Sequence, residues 1–226
     1  AALRKTFEKL YGEKGFQFLA LYPEGWQVWT TLDPIRTPDD FDGVKMRVMT
    51  SPILVEAYRA YGANPTPLPY GEVYSGLQLK MIDGQVNPVF AIEEMSFYEV
   101  TDYLIFARQA QFVTSVVANP AFFDALPEAQ RQWVREVIGE LNDFIFDVQE
   151  QYNQERLETI KKNKPDIEIL QLTAEERDAF REASLPVRET FVEMVGPEGK
   201  ELLDTLTREI EVAEQSKEPE DSPDKS

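Results

Sequence analysis

The feature that most limits how this chain can fold is a helical pattern that runs without a break over Glu128–Asn163. Apolar residues recur through it at helical spacing, and Gly139 is the one glycine inside it. At about 1.5 Å per residue, such a helix is on the order of 50 Å long. Because one compact domain does not need so long an element, we expect this helix to bridge two lobes.

A second region, residues 43–88, alternates short strands with helices. The pattern predicts a strand at Lys45–Val48, a helix at 52–61, a Gly-Ala-Asn-Pro turn, a helix at 71–81 and an extended segment ending in Asn87-Pro88. This rhythm indicates an α/β layer whose strands are parallel or nearly so. Open sheets of that kind bind ligands beyond the carboxyl ends of their strands. Arg47 and Asn87 both lie at ends of predicted strands.

The flanking segments predict further elements. They are a helix at 3–14, a buried strand at 16–22 that Pro23-Glu24-Gly25 ends, a crossing strand at 26–31, strands at 103–107, 111–117 and 167–170, and helices at 174–183, 187–195 and 197–213. Thr173 with Glu176 forms a capping-box signature for the first of those late helices. The charged tail, 214–226, contains proline and little to bury, so we expect disorder there.

Composition excludes several classes of function. Lys and Arg number 23 against 41 Asp and Glu, a net charge of −18, which argues against nucleic acid as a partner. Either an ordinary acidic surface or a salt-adapted source accounts for that charge. The chain has no Cys and no His, so it lacks a disulfide framework, a thiol nucleophile and the commonest general base. The sequence has no run of about 18 apolar residues, so it does not predict membrane insertion. No motif predicts a cofactor.

Three consecutive motifs resemble one protein family. K-x-R-V at 45–48, G-A-N-P-T-P-x-P-Y-G-E-V-Y-x-x-L-Q at 62–78 and D-G-Q-x-N-P at 83–88 are similar to the solute-binding subunits of tripartite ATP-independent periplasmic (TRAP) transporters. The likeness extends from Gly15 to about Leu206. It implies an α/β, periplasmic-binding-protein-like (type II-like) bilobed fold with mixed sheets and a lobe-spanning helix. The first lobe is expected to be incomplete.

The resemblance also implies a division of the chain. Residues 1–25 are a remnant of lobe I, 26–112 form the ligand-anchoring lobe II, 113–150 return to lobe I and begin the spanning helix, 151–213 finish that helix and add C-terminal helices on lobe II, and 214–226 are the tail. The opening AALRKTFEKL is typical of the back half of a helix without its N-cap, and no signal peptide precedes it. We therefore expect an N-terminal segment to be missing.

Arg47 is the first candidate for ligand binding. A guanidinium is always charged, and its planar fork matches a carboxylate with two hydrogen bonds. From spacing alone, a surface ion pair with Asp40 or Asp42 is an equal alternative. In the TRAP family the Arg of K-x-R-V clamps the ligand carboxylate, so the resemblance implies that role for Arg47.

Asn87 and Tyr70 are the next candidates. Pro88 holds Asn87 extended, so its amide can donate to a carboxylate and accept from a hydroxyl or amine. The alternative for Asn87 is an Asx turn that caps the helix from Val89. The resemblance implies that Tyr70 packs on the ligand, and an ordinary core aromatic is the alternative.

Gln27, Trp26 and Gln109 complete the predicted ligand-binding set. Many family members carry a second arginine where this chain has Gln27, and a neutral amide cannot pair with a second carboxylate. Trp26 offers apolar or cation–π contact, or packs at the hinge. Gln109 is a candidate for a polar contact from the next strand. Val86 replaces the glutamate common in D-G-Q-E-N-P.

Three functional hypotheses follow. The first is a periplasmic receptor that closes two lobes over a small organic acid and delivers it to membrane permease subunits. The second is a hydrolase or lyase that uses paired carboxylates, although the common catalytic motifs are missing. The third is a truncated fragment that another chain covers. The acidic turn at Asp39, Asp40 and Asp42 is a solvated loop, with calcium binding as the alternative.

Overall fold

The computed structural model describes residues 2–216, as nine α-helices and eight β-strands. The helices of this part are α1 (Ala2–Glu13), α2 (Pro52–Ala60), α3 (Val73–Gln78), α4 (Val89–Glu94), α5 (Pro120–Ala125), α6 (Glu128–Asn163), α7 (Ala174–Ser184), α8 (Val187–Val195) and α9 (Pro197–Ser216). The strands are β1 (Gln17–Trp26), β2 (Val28–Thr31), β3 (Lys45–Val48), β4 (Asn64–Pro67), β5 (Gly84–Asn87), β6 (Tyr103–Phe106), β7 (Gln111–Ala118) and β8 (Glu168–Gln171).

Six of the strands form one mixed sheet in the order β4-β3-β5-β2-β6-β8. Strand β3 is parallel to both β4 and β5, and β6 is parallel to β8. Strand β2 is antiparallel to its neighbours β5 and β6. The α/β class and the mixed sheet that the sequence predicted are therefore confirmed.

Apolar layers cover both faces of this sheet. On one face Trp29, Met46 and Val86 pack with aromatic side chains from α2, α7 and the 3-10 turn at Pro38–Phe41. On the other face Val28 and Leu104 pack with side chains from α3, α4 and the C-terminal part of α6. Side chains alternate across a strand, so consecutive residues such as Val28 and Trp29 enter opposite layers.

The remaining two strands, β1 and β7, form a separate antiparallel ribbon. The chain crosses between the two sheets at Gln27 and again at residues 107–110. The Gln27 backbone N–H donates to the Ala110 carbonyl at 2.9 Å and ties the two crossings together. Helix α6 contacts both β1 and α4, so it is the third connection. We call Gln27, residues 107–110 and the passing segment of α6 the junction.

Helix α6 has the bounds that its periodicity predicted, and Ile160 is its one buried residue among those described. The capping box at Thr173 is also confirmed, because its hydroxyl accepts from the Glu176 N–H at 3.2 Å. No helix within residues 2–216 has the length and apolarity needed to cross a bilayer.

Several local predictions were wrong. Pro23-Glu24-Gly25 does not end the first strand, because β1 continues to Trp26 through a register shift between Pro23 and Gly25. The predicted Gly-Ala-Asn-Pro turn already contains the start of β4, an edge strand in which proline costs no ladder hydrogen bond. The helix predicted at 71–81 is a 3-10 turn at Tyr70–Glu72 followed by the shorter α3. Helix α9 extends to Ser216, three residues into the segment expected to be disordered, and 217–226 lie outside the described residues.

Candidate functional site

A row of polar side chains crosses the otherwise apolar face of the six-stranded sheet that α3, α4 and α6 cover. Arg47 on β3 pairs in register with Gln85 on β5, and Gln85 pairs with Thr30 on β2. All three residues are buried. Polar groups in such a layer are costly unless they are hydrogen-bonded, so this row is the candidate for a binding site.

Arg47 carries the one buried charge of this row. Only 2% of its surface is exposed, and its Nε donates to the Leu68 carbonyl at 2.9 Å. Its Nη1 is buried without a hydrogen-bond partner. Among the ion pairs of the described residues, none involves Arg47. Burial lowers the pKa of Arg47 from its ordinary value, because the charged form loses its water.

The surface ion pair considered for Arg47 is wrong. The carboxylate of Asp40 instead accepts from the backbone amides of Arg36, at 2.9 Å, and Thr37, at 2.8 Å. These amides hold the pKa of Asp40 below its usual value, although partial burial works in the opposite direction. Arg47 lies in the sheet interior, where neither Asp40 nor Asp42 contacts it.

Asn87 belongs to the same polar row. Its Nδ2 donates to Gln85 Oε1 at 2.5 Å, and Gln85 Nε2 donates to Thr30 Oγ1 at 3.0 Å. Its side chain does not cap α4, because Pro88 occupies the N-cap position and no side chain bonds there. The Asx-turn alternative for Asn87 is therefore wrong. Asn87 contacts Gln85, which pairs in backbone register with Arg47.

Tyr70 lies beside Arg47 at the rim of the row. Its hydroxyl donates to the Ala91 carbonyl at 3.4 Å, and its ring packs edge to face on Phe97 at 5.8 Å. Burial and the charge of Glu94 raise the pKa of Tyr70, whereas Arg47 lowers it. The ring is only partly buried, so Tyr70 is not an ordinary core aromatic.

Gln27 and Gln109 lie at a different place. Both line a cavity of about 310 Å³ on the opposite side of the sheet, between α2 and α8. Gln27 Oε1 is buried without a partner, and the Gln109 amide lies beside the Tyr58 hydroxyl without a hydrogen bond of normal geometry. Burial raises the pKa of Tyr58 well above its ordinary value. The structure thus separates these two glutamines from the Arg47 row.

Trp26 lines a second cavity, of about 590 Å³, at the junction. Gln27 and Arg108 also line it. Arg108 has a left-handed backbone with φ 50°, an uncommon conformation for a residue other than glycine. Trp26 is 43% exposed, so it is available for contact rather than fully packed.

Gln85 and Thr30 belong to the polar row, and the sequence reasoning missed both. A usable signal was present, because Gln85 precedes Asn87 by two residues and must share its face of the strand. Thr30 carried no such signal, since only the antiparallel pairing of β2 with β5 brings it next to Gln85.

The polar row carries groups that can hold an anion. Glu150 is the single carboxylate, among the described residues, that lines either of these two cavities. No group of three acidic side chains within residues 2–216 is arranged to hold a metal ion. The row offers the Arg47 cation, the amides of Gln85 and Asn87 and, at its rim, the Tyr70 ring, and such groups can bind and orient a carboxylate.

Comparison with known proteins places this geometry in a family. The profile of the DctP family, bacterial extracellular solute-binding protein family 7, matches residues 2–194. The ectoine-binding periplasmic protein TeaA of Halomonas elongata is 41% identical over 217 residues, which is 96% of this chain and 64% of TeaA. The ectoine/5-hydroxyectoine-binding periplasmic protein UehA of Ruegeria pomeroyi is 41% identical over 209 residues, which is 92% of this chain and 62% of UehA. The chain thus spans a little under two thirds of the length of these relatives.

Solved structures agree. A TRAP periplasmic solute-binding protein from Marinobacter aquaeolei VT8, in an apo open structure, superposes with a TM-score of 0.87 at 48% identity, covering 90% of this chain and 67% of that one. The crystal structure of TeaA superposes with a TM-score of 0.89 at 42% identity, covering 93% and 69%. The chain therefore belongs to bacterial extracellular solute-binding protein family 7, the family of the TRAP solute-binding proteins that its motifs resemble.

Proposed function

We propose that this chain binds a small solute through its carboxylate, with Arg47 as the anchoring cation. The observation that carries the proposal is the buried guanidinium of Arg47, whose Nη1 has no partner and whose neighbours include no carboxylate. Removing an ion from water costs about several kcal/mol even after relaxation of the protein. A bound anion supplies the missing compensation, so the ligand completes the site.

The neighbours of Arg47 define how the solute is held. Asn87 lies two residues beyond Gln85, the register partner of Arg47, on the neighbouring strand, and Tyr70 offers a ring at the rim. An amide donates to one carboxylate oxygen while the guanidinium takes the other. We therefore propose a single site for the roles that the sequence assigned to Arg47, Asn87 and Tyr70. Trp26 and Gln27 contact the solute only if it extends to the junction.

The solute that we propose carries a single carboxylate. The resemblance places a second arginine at the position of Gln27 in many family members, and a neutral amide at this position cannot pair with a second acid group. Ectoine has one carboxylate on a ring that also bears a delocalised positive charge, and TeaA and UehA are named as proteins that bind it. An ectoine-like zwitterion thus suits this chain better than a dicarboxylate.

The family setting extends the proposal to transport. TeaA and UehA are periplasmic proteins, and the solved relatives are TRAP solute-binding proteins. We propose that this protein acts in the periplasm and delivers its solute to membrane permease subunits of a TRAP transporter. Closure of the lobes would follow from contacts that the solute makes only in the closed state.

Calorimetric titration of the 226-residue chain with ectoine and with succinate tests the proposal. We expect ectoine to bind more tightly, and Arg47→Gln to weaken its binding by at least about 30-fold, as loss of a buried charged partner does. Arg59→Gln is the control, because Arg59 is exposed and paired with Glu56, and it should leave affinity unchanged.

Three results would count against the proposal. If neither solute binds, the proposed binding function is wrong. If Arg47→Gln retains affinity within about threefold, Arg47 is not the anchor. If succinate binds more tightly than ectoine, the carboxylate site stands but the single-carboxylate assignment is wrong.

A further inference from the structure

We propose that Asn153 of α6 is a positioning residue that couples the solute site to the junction between the two sheets. Its side-chain Nδ2 donates to the Glu24 carbonyl at 3.0 Å and to the Gln149 carbonyl at 2.8 Å. Its Oδ1 accepts from the Phe90 backbone N–H at 3.0 Å. This inference rests on the proposed function, because the solute site is the one at Arg47 and Asn87.

The two ends of the Asn153 amide contact different parts of the fold, β1 of the ribbon and α4 on the six-stranded sheet. Glu24 lies in β1 of the ribbon, three residues before the crossing at Gln27. Phe90 lies in the first turn of α4, three residues after Asn87 of the six-stranded sheet. The planar amide of Asn153 therefore joins β1 to the backbone that follows Asn87, a residue proposed to bind the solute. The assignment of its oxygen and nitrogen follows from its partners, since carbonyls only accept and an N–H only donates.

The Phe90 N–H has few other possible partners. The first amides of a helix have no acceptor within the helix, and no side chain caps α4 at its N-cap. Asn153 thus satisfies a partly buried donor that would otherwise be left unpaired at a cost. Movement of the ribbon relative to the six-stranded sheet has to stretch or break one of the two bonds.

Gly25 shows that the approach of α6 to β1 is close. Its φ is +124°, and a Cβ at this position would lie 2.6 Å from Asn153 Nδ2. Any larger residue would push the amide away from the Glu24 carbonyl. The glycine and the asparagine therefore form one contact, and either partner can be changed to test it.

Substitutions of Asn153 separate its hydrogen bond to the Glu24 carbonyl from its hydrogen bond with the Phe90 N–H. Asn153→Ala removes both, whereas Asn153→Asp keeps an acceptor for Phe90 and loses the donor to Glu24. Gly25→Ala displaces the amide from the other side. Asn163→Ala is the matched control, because Asn163 lies on the same helix and its side chain donates to the Tyr98 hydroxyl, at 3.2 Å, away from the junction. Gly43→Ala is the control for Gly25, because Gly43 also has a positive φ but a Cβ there would have no atom within 4 Å.

Hydrogen exchange is measured first, since it needs no ligand. The Phe90 amide should exchange about tenfold or more faster in Asn153→Ala, and near the natural rate in Asn153→Asp and Asn163→Ala. If Asn153→Ala leaves the exchange of Phe90 unchanged, the connection does not exist and the inference is wrong, whatever the solute.

Stopped-flow binding of ectoine then tests the coupling. We expect Asn153→Ala and Gly25→Ala to raise the dissociation rate about fivefold to thirtyfold, the effect of one or two hydrogen bonds, with little change in the association rate. Asn163→Ala and Gly43→Ala should change neither rate. Unaltered dissociation with faster exchange at Phe90 would make Asn153 a purely structural residue. If the unmodified chain fails to bind ectoine, the proposed function fails, and a normal Phe90 exchange rate in Asn153→Ala separately decides the structural half of the inference.

Discussion

The two sheets of this protein differ in how much of their surface the chain itself covers. The six-stranded sheet has helices on both faces, and its central strands β2 and β5 are buried at every position. In the ribbon, no residue of β7 is buried, and its side chains alternate between exposed and half-buried. The N-terminal half of α6 exposes large apolar residues such as Trp133 and Phe144.

This difference shows where folding energy and where adaptability lie. Buried apolar area is the main favourable term in folding, so the six-stranded sheet holds most of the stability. A two-stranded ribbon has little core of its own and depends on the helices that cross it. The junction therefore connects the half built on the six-stranded sheet, called the rigid half below, to the ribbon, whose strand β1 packs on α1 and α6 and is also bonded by Asn153.

The largest effect is expected from removing the central aromatic side chain of the rigid half. Trp29 is fully buried, donates to the Tyr58 hydroxyl at 2.8 Å and packs against Phe41 and Phe180. Trp29→Ala should lower the free energy of unfolding by about 3–5 kcal/mol. Trp133→Ala, at a site on α6 that is 65% exposed, should change it by less than about 0.5 kcal/mol. Urea unfolding followed by circular dichroism measures both, and equal losses would contradict the comparison.

Arg47 is expected to lower stability in the absence of solute. Arg47→Met replaces an uncompensated buried charge by an apolar side chain, so it should raise the free energy of unfolding by about 1–4 kcal/mol while abolishing solute binding. Arg59→Met, at an exposed position, is the control and should stay within about 0.5 kcal/mol. The measurement is denaturant unfolding without ligand. A destabilised Arg47→Met would mean that the guanidinium is already compensated in the free protein.

Replacing glycine by alanine should change the free energy of unfolding in opposite directions at two positions, Gly84 in the six-stranded sheet and Gly139 in α6. In the six-stranded sheet, a Cβ on Gly84 would meet Met46 Sδ and the Thr30 carbonyl oxygen at 2.9 Å, so Gly84→Ala should cost about 1–3 kcal/mol. In α6, a Cβ on Gly139 meets nothing within 4 Å, so Gly139→Ala should stabilise the helix by about 0.5–1 kcal/mol. Thermal unfolding of both variants checks the signs. A destabilising Gly139→Ala would show that the surface of α6 is covered there.

The smallest effect concerns acid sensitivity of the rigid half. The Thr173 amide and the Arg36 guanidinium hold the pKa of Glu176 below its ordinary value. A carboxylate with a lowered pKa in the folded state stabilises the fold above its ordinary pKa, and this contribution is lost as the pH falls through the lowered value. Glu176→Gln should therefore lower the melting temperature at pH 7 and reduce its decline below about pH 4.5. Glu175→Gln, which lacks these contacts, serves as the control, and parallel pH profiles for the two variants would refute the assignment.

Much of the rigid half and part of the site could be predicted from the residues. The bounds of α6 and β3 follow from hydrophobic period and breakers, which act locally. Arg47 and Asn87 lie near the ends of neighbouring parallel strands, because the carboxyl ends of such strands lie at one edge of a sheet. Gln27 and Gln109 could not be placed, since the face that each side chain takes depends on how the chain crosses at the junction.

Local pattern and motif by themselves determined the α/β class, the long helix, the family resemblance and the choice of Arg47 and Asn87 as the first candidates for solute binding. These depend on side-chain periodicity and on residue chemistry, which are properties of short segments. Only the tertiary structure decided that β1 runs past Pro23 to Trp26, that Gln85 and Thr30 complete the polar row, and that Asn153 connects β1 with α4. Those outcomes depend on strand pairing and on helix approach between residues far apart in the chain, and no short segment encodes such contacts.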